Sequence, residues 1–196
     1  MNLYNLGYRL FRMPWELGPR KELVELVTSG RLPAGRAIDL GCGTGANSVF
    51  LAEHGFDVTG VDFAPAALVK ARAKAAEAGV SVDFRRDDLT ALTGDHGVFD
   101  LLVDYGTLDD LSPARRDLYV RNVLPLTRTG TRFLLWCFEW APRRFDRWVS
   151  FLPIAPGEVA ERFGAHFTIE LLGTSGAPQP RRLVAGTAAY LLTRVS

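Results

Sequence analysis

Ala37-Ile38-Asp39-Leu40-Gly41-Cys42-Gly43-Thr44-Gly45 reads as an apolar strand that runs into a glycine-rich turn, and Ala46 to His54 then continues in a helical pattern. Strand, glycine turn and helix in that order form a loop suited to a nucleotide-containing cofactor. The glycines let the backbone turn sharply and let a ligand approach it closely, where a β-carbon would obstruct both. The helix that follows points its free N–H groups at that ligand. Spacing alone leaves two readings open, because Gly41, Gly43 and Ala46 also satisfy the dinucleotide pattern of hydride-transfer enzymes. Asp39 separates them. It lies within the strand, two residues before the first glycine, where a dinucleotide-binding strand is usually apolar. An acid there suits a cationic ligand.

Asp39-Leu40-Gly41-Cys42-Gly43-Thr44-Gly45 resembles, without departure, the first motif of the class I S-adenosylmethionine-dependent methyltransferases, an acidic residue followed by alternating glycines. The resemblance implies that Asp39, Gly41, Gly43 and Gly45 hold the methionine part of S-adenosyl-L-methionine, whose ammonium and sulfonium give the acid its physical reason. Pro14-Trp15-Glu16-Leu17-Gly18-Pro19, shortly before the first strand, narrows the resemblance to small-molecule methyltransferases similar to the thiopurine and tellurite-resistance enzymes. In those relatives the aromatic residue at this point lies near the cofactor. That implies a place for Trp15 beside the sulfonium, where a cation–π contact is worth about 1 kcal/mol.

A chain of 196 residues is one ordinary domain, long enough to bury its own core. Its 23 Lys and Arg residues nearly balance 22 Asp and Glu, so no electrostatic footprint for nucleic acid or an anionic membrane stands out. Cys42 and Cys137 have no paired spacing, which suggests neither a disulfide framework nor a zinc site. The N-terminus lacks a basic-then-apolar signal pattern, and the strongly apolar run Phe133 to Phe138 is far too short to span a bilayer. The expectation is a cytoplasmic protein, monomer or homodimer.

Ahead of the glycine loop, Asn2 to Arg12 is a short amphipathic segment with Leu3, Leu6, Leu10 and Phe11 broadly on one side. Pro19 is expected at the first position of a helix carrying Leu23, Val24, Leu26 and Val27, stopped by Gly30. Residues 1–30 together read as lid helices. After the loop, Gly55 closes the Ala46 to His54 helix, and Phe56 to Val61 alternates into a second strand ending at Asp62. Asp62 follows Gly41 by 21 residues, the distance at which a strand-end carboxylate can accept the ribose hydroxyls of an adenosyl cofactor. That feature alone suits NAD equally well. Phe63 beside it is a further cofactor-binding candidate. Pro65 and Gly79 bracket an alanine-rich helix, Ala66 to Ala78, and Val80 to Arg86 is a third strand. Ala64 stands where the resembled family usually has serine or threonine, so Asp62 is expected to serve the helix start as well.

Asp87-Asp88-Leu89 closes the third strand. The resemblance implies here an acidic side chain on the adenine amino group and a backbone N–H on a ring nitrogen, which favours Asp88 with Leu89. Aspartate is also a common helix N-cap, and that role stays open. Phe99 to Asp104 is a fourth strand, and Asp104-Tyr105-Gly106-Thr107 is its carboxyl-end loop, where ligands of open α/β sheets bind. The loop lacks the Asn/Asp-Pro-Pro-Tyr/Phe of enzymes that methylate adenine or cytosine amino groups. Pro113 to Thr127 is a helix interrupted or ended near Pro125, and Gly130 to Cys137 is an apolar fifth strand. Phe138 to Pro153 breaks the strand-helix rhythm with Trp140, Phe145, Trp148, Phe151 and three arginines, and reads as a substrate cap. A helix from Pro156 to Phe163, a strand near Phe167 to Leu172, a loop from Gly173 to Pro180 and a last strand from Leu183 to Thr193 follow.

The expected fold class is α/β: a Rossmann-like sheet of seven mostly parallel strands with an antiparallel last strand and helices on both faces, in a single domain spanning 1–196. The implied chemistry is in-line displacement of a sulfonium methyl onto a small molecule, probed by three candidate bases near strand ends, Asp104, Tyr105 and Glu139. Asp104 is also a cofactor-contact candidate. His54, His96 and His166 receive no role, and Asp109-Asp110 lack a third ligand at useful spacing, so no metal is expected. Two other readings stay open: a protein that binds S-adenosylmethionine without catalysis, and an NAD(P)-dependent oxidoreductase, against which Asp39 and the terminal hairpin argue.

Overall fold

The computed structural model describes residues 3–10, 16, 18–141, 153–175 and 186–195. The order of elements is α1 (Leu3–Leu10), α2 (Lys21–Thr28), β1 (Arg36–Leu40), α3 (Ala46–Glu53), β2 (Asp57–Asp62), α4 (Pro65–Glu77), β3 (Asp83–Arg86), β4 (Leu101–Tyr105), α5 (Pro113–Val123), β5 (Arg132–Phe138), α6 (Glu158–Phe163), β6 (Phe167–Ser175) and β7 (Thr187–Arg194). Short 3₁₀ turns at Leu108–Asp110 and Leu124–Leu126 flank α5.

The strands form one seven-stranded sheet in the order β3-β2-β1-β4-β5-β7-β6. β1 to β5 pair in parallel, whereas β7 runs antiparallel to both β5 and β6. Chain order leaves β1 outward through β2 to β3 and then returns to β4 on the other side of β1. The carboxyl ends of β1 and β4 therefore flank the switch point, where open α/β sheets hold their ligands.

Both sheet faces are covered, which is why the parallel strands are near-continuous apolar runs. On one face Leu23, Leu26 and Val27 of α2 and Phe50 and Leu51 of α3 pack with Ala37, Val58, Leu101, Val103, Leu134 and Leu191. Leu68, Ala71 and Ala75 of α4 meet Val49 and Phe84 beside them. On the other face Tyr119 and Val123 of α5 and Val159 and Phe163 of α6 pack with Ile38, Leu40, Leu102, Phe133, Leu135 and Leu192.

Several boundaries differ from expectation, each for a local reason. Pro19 is not the first helical residue, because Arg20 is the extended N-cap and α2 starts at Lys21. β3 starts at Asp83 rather than Val80, since the Val80 N–H donates to the Ala75 carbonyl at 3.0 Å and closes α4 instead. β6 continues to Ser175 through a register shift between Leu171 and Gly173, so Gly173 belongs to the strand and not to the loop. Residues 176–185, which carry most of the expected hairpin loop, lie outside the described residues, as do 142–152 of the expected cap. Among the described residues no helix is long and apolar enough to cross a membrane.

Candidate functional site

The glycine loop sits at the carboxyl end of β1, and its conformation requires its residues. Gly41 has φ +74°, and a Cβ there would lie 2.0 Å from the Thr107 hydroxyl oxygen. That hydroxyl donates to the Leu40 carbonyl at 3.0 Å and so clamps the loop to the one after β4. Gly43 has φ +54°, with the Tyr8 hydroxyl of α1 only 3.2 Å from where its Cβ would be. α1 thus lies against the loop, docked by Tyr8, Ala64 and Ala67 and by the Ala66 N–H, which donates to Asn5 Oδ1 at 2.9 Å. Gly45 is the left-handed N-cap of α3.

The two acids expected at this loop are both buried there. Asp39 is 2% exposed and accepts a 2.6 Å hydrogen bond from the Ser48 hydroxyl of α3. Burial, and to a lesser extent the Asp62 charge, raise its carboxyl to about 6 against the opposing Ser48 hydrogen bond. Low dielectric and a like charge make this a place where a cation is favoured. Asp62 is 6% exposed; its Oδ2 accepts from the Gly43 N–H at 2.9 Å and its Oδ1 from the Ala64 N–H at 2.7 Å. Burial raises its carboxyl as well. Asp62 therefore ties the glycine loop to β2 and also serves the start of α4, as the alanine at 64 led one to expect. Each oxygen keeps a second lone pair with which to meet a hydroxyl. Buried acids beside a loop of positive-φ glycines fit a ligand that pairs a cation with hydroxyl groups, as S-adenosylmethionine does.

The three candidate bases do not form a catalytic cluster. Asp104 is completely buried, accepts from the Tyr119 hydroxyl at 2.5 Å and the Thr107 N–H at 2.8 Å, and has its carboxyl raised to about 7 by desolvation. Through these bonds it joins β4 to α5 and to the loop. Tyr105 is held as well. Its hydroxyl donates to Glu22 of α2 at 2.5 Å, and burial together with that carboxylate pushes the phenol well above its ordinary value. A phenol so held is a poor base at neutral pH. Glu139, half-buried, accepts from the Tyr190 hydroxyl of β7 at 2.5 Å. The three side chains thus have separate partners on separate elements.

Sequence reasoning missed Trp136. Its ring stacks on Tyr105 with centroids 4.7 Å apart and planes 10° from parallel, and Arg20 covers Tyr105 with its guanidinium carbon 4.5 Å from the ring centroid. Trp136 meets Phe138 edge-on at 5.0 Å, and Phe138 meets Trp140 at 6.0 Å. Residues 136, 138 and 140 alternate along β5 and just past it, the signal that would have marked a shared face.

Asp88 sits after β3 with Oδ1 accepting from the Thr90 N–H at 2.9 Å, and it pairs with Arg115 at 2.9 Å on a half-exposed surface. Its capping is of a turn rather than a helix. Leu89 beside it is buried and Phe63 at the end of β2 is 41% exposed. Trp15 lies outside the described residues. Glu16 beside it pairs with Lys70 of α4 at 3.1 Å.

Residues 37–130 match the sequence pattern described as a methyltransferase domain. The chain is 30% identical over 202 residues to the demethylmenaquinone methyltransferase of Thermus thermophilus, covering 95% of this chain and 87% of that protein. The class I S-adenosylmethionine-dependent methyltransferases are the family to which this chain belongs. It is also 29% identical over 163 residues to the 2-heptyl-1-hydroxyquinolin-4(1H)-one methyltransferase of Mycobacteroides abscessus, covering 81% of this chain and 70% of that one. Among solved structures, one described under the conversion of a disulfide bond into a thioacetal group in echinomycin biosynthesis superposes with a TM-score of 0.79 at 24% identity, over 98% of this chain and 91% of that one. The sheet of this methyltransferase is seven-stranded and mostly parallel with an antiparallel last strand, as the sequence led one to expect.

Proposed function

We propose that this methyltransferase transfers a methyl group to the sulfur, nitrogen or oxygen of a small aromatic or heterocyclic molecule. The observation that carries the reading is the aromatic series Tyr105, Trp136, Phe138 and Trp140 at and just past the carboxyl ends of β4 and β5, the same end of the sheet as the glycine loop after β1. A flat aromatic acceptor gains most from offset or edge contacts with such rings, each worth about 0.5–1.5 kcal/mol beyond burial. A relative that acts on a hydroxyquinolone is in keeping with it.

S-adenosylmethionine supplies an electrophilic methyl on a sulfonium. In the proposed site Asp39 and the loop of Gly41, Gly43 and Gly45 hold its methionine part, Asp62 its ribose, and Phe63, Asp88 and Leu89 its adenine. The carboxylates favour the positive charge on binding, and the rings and α1 keep water from the reacting centre, so that positioning and desolvation contribute most of the acceleration. α1 and the chain leading to α2 act as a lid and the segment after β5 as an acceptor cap, within one domain.

A panel of hydroxyquinolines, phenols, aromatic thiols and aromatic amines with labelled S-adenosylmethionine tests this, run beside RNA and protein extracts and with and without chelator. Label is expected in one or more small molecules and insensitive to chelator. Label confined to macromolecules, or activity lost on chelation, would overturn the reading.

A further inference from the structure

Asp109 lies in the 3₁₀ turn Leu108–Asp110, immediately after the loop that leaves β4 at the ligand end of the sheet. It is 2% exposed, and its Oδ1 is buried with no hydrogen-bond partner among the described residues. A carboxylate oxygen left this way carries its full desolvation cost with nothing in return, and such orphaned groups concentrate where a ligand completes them. The oxygen is directed toward the acceptor wall. It lies 3.9 Å from the position of a Cβ on Gly106, and the Trp136 ring lies 3.7 Å from that same position. Gly106 has φ +89°, and a Cβ there would sit in ordinary van der Waals contact with both groups, so the glycine leaves between Asp109 and Trp136 a gap about the size of one methyl group.

We propose, resting on the small-molecule reading above, that Asp109 is a catalytic residue whose free Oδ1 receives the proton of the acceptor's O–H, N–H or S–H group. As the acceptor atom forms its bond to the methyl carbon, the sulfonium–carbon bond breaks and its electron pair stays on sulfur. The acceptor's proton passes to Oδ1, so a neutral acceptor yields a neutral methylated product. The role differs from that expected for Asp104, Tyr105 or Glu139, each of which is engaged by a hydroxyl or carboxylate partner.

The surroundings suit a base. Burial first, then the charges of Asp104 on β4 and of Asp110 in the same turn, push the Asp109 carboxyl up to about 8. Cys137 of β5 faces the same region, and burial together with the charges of Asp109, Glu139 and Asp104 pushes its thiol up, so it stays neutral beside Asp109. Arg116 of α5 approaches but is committed elsewhere: its Nη1 pairs with Glu158 at 3.0 Å, its Nε donates to the Leu108 carbonyl, and its Nη2 donates to the backbone carbonyl of Asp109. A base near the working pH is the most effective kind. Since Oδ1 must be ionised to take the proton, turnover rises as pH passes through about 8, with Asp104 and Asp109 titrating as an interacting pair.

The test compares wild type, Asp109→Asn and Asp109→Glu on a hydroxyquinoline, a phenol and an aromatic thiol, with calorimetry of S-adenosylmethionine binding alongside. Asp109→Asn is expected to bind the cofactor within about twofold of wild type, to lose about 10²–10⁴-fold in kcat with a small change in KM, and to lose the rise with pH. Asp109→Glu is expected to recover part of the loss. Rates within about threefold of wild type, or a loss that leaves the pH profile intact, would overturn the proposal. Difference infrared spectroscopy reads the carboxyl without turnover. A protonated-carboxyl band absent from Asp109→Asn should shift when the hydroxyquinoline binds to wild type. If the panel is not turned over, the acceptor reading fails; a band unmoved by every probe that binds overturns the role of Asp109.

Discussion

Replacing Asp39 by asparagine is expected to change the stability of the ligand-free protein and its affinity for S-adenosylmethionine in opposite directions. Burial lifts the native carboxyl from 3.8 to about 6, a rise that corresponds to ~3 kcal/mol once both native and unfolded carboxyls are ionised. The native state binds this proton more tightly than the unfolded state. Its contribution to stability is therefore greatest below about pH 4, falls between about pH 4 and 6, and is flat above. Asparagine has the same size, carries no charge and still offers an oxygen to the Ser48 hydroxyl. Asp39→Asn should thus gain about 1–3 kcal/mol at pH 7, which for a chain of this length raises Tm by about 3–10 °C, and should gain almost nothing at pH 4. Cofactor affinity should fall by about 1.5–3 kcal/mol, the range for a hydrogen bond to a charged group, or about 10- to 150-fold. Thermal melts between pH 4 and 8 and titration calorimetry read both effects. A lower Tm at pH 7, or unchanged affinity, would refute the view that Asp39 is a carboxylate held at a cost for a cationic ligand.

Asp62→Ala removes the acceptor of the Gly43 and Ala64 N–H groups, and calorimetry should show a loss of about 1–3 kcal/mol in cofactor binding; unchanged affinity would place the ribose contact elsewhere. Tyr105→Phe keeps the stack on Trp136 and deletes only the hydroxyl bound to Glu22. Methyl transfer by this variant should stay within about threefold of wild type, whereas a fall of 10² or more would restore Tyr105 as a base. Because the Tyr8 hydroxyl lies over Gly43, hydrogen exchange in Leu3–Leu10 should slow when S-adenosylmethionine binds, and protection confined to the glycine loop would remove the lid.

What the sequence made legible were features encoded in local chemistry. The glycine turn, the acid at position 39 and the double duty of Asp62 follow from residue type and spacing, because backbone conformation and strand-end position depend on few neighbours. The antiparallel β7 was legible from two consecutive strands joined by a hairpin-length loop. What was not legible depends on distant partners. The hydrogen bond that Asp104 accepts comes from Tyr119 of α5, which no pattern around Asp104 announces. The Tyr105 hydroxyl is held by Glu22, which is 83 residues away in sequence. The same applies to Asp109, read from sequence only as half of an acidic pair without a third metal ligand. Its orphaned oxygen is a property of how the turn after β4 meets β5, and no local pattern encodes that.

The most direct measurement is titration calorimetry of the purified protein with S-adenosylmethionine, its demethylated product S-adenosylhomocysteine, NAD(H) and NADP(H). The first two should bind at one shared site with one-to-one stoichiometry, each displacing the other, and the nicotinamide dinucleotides should give no binding heat. Binding of a nicotinamide dinucleotide with none of S-adenosylmethionine would contradict the assignment of the glycine loop, Asp39 and Asp62 to a methyl donor.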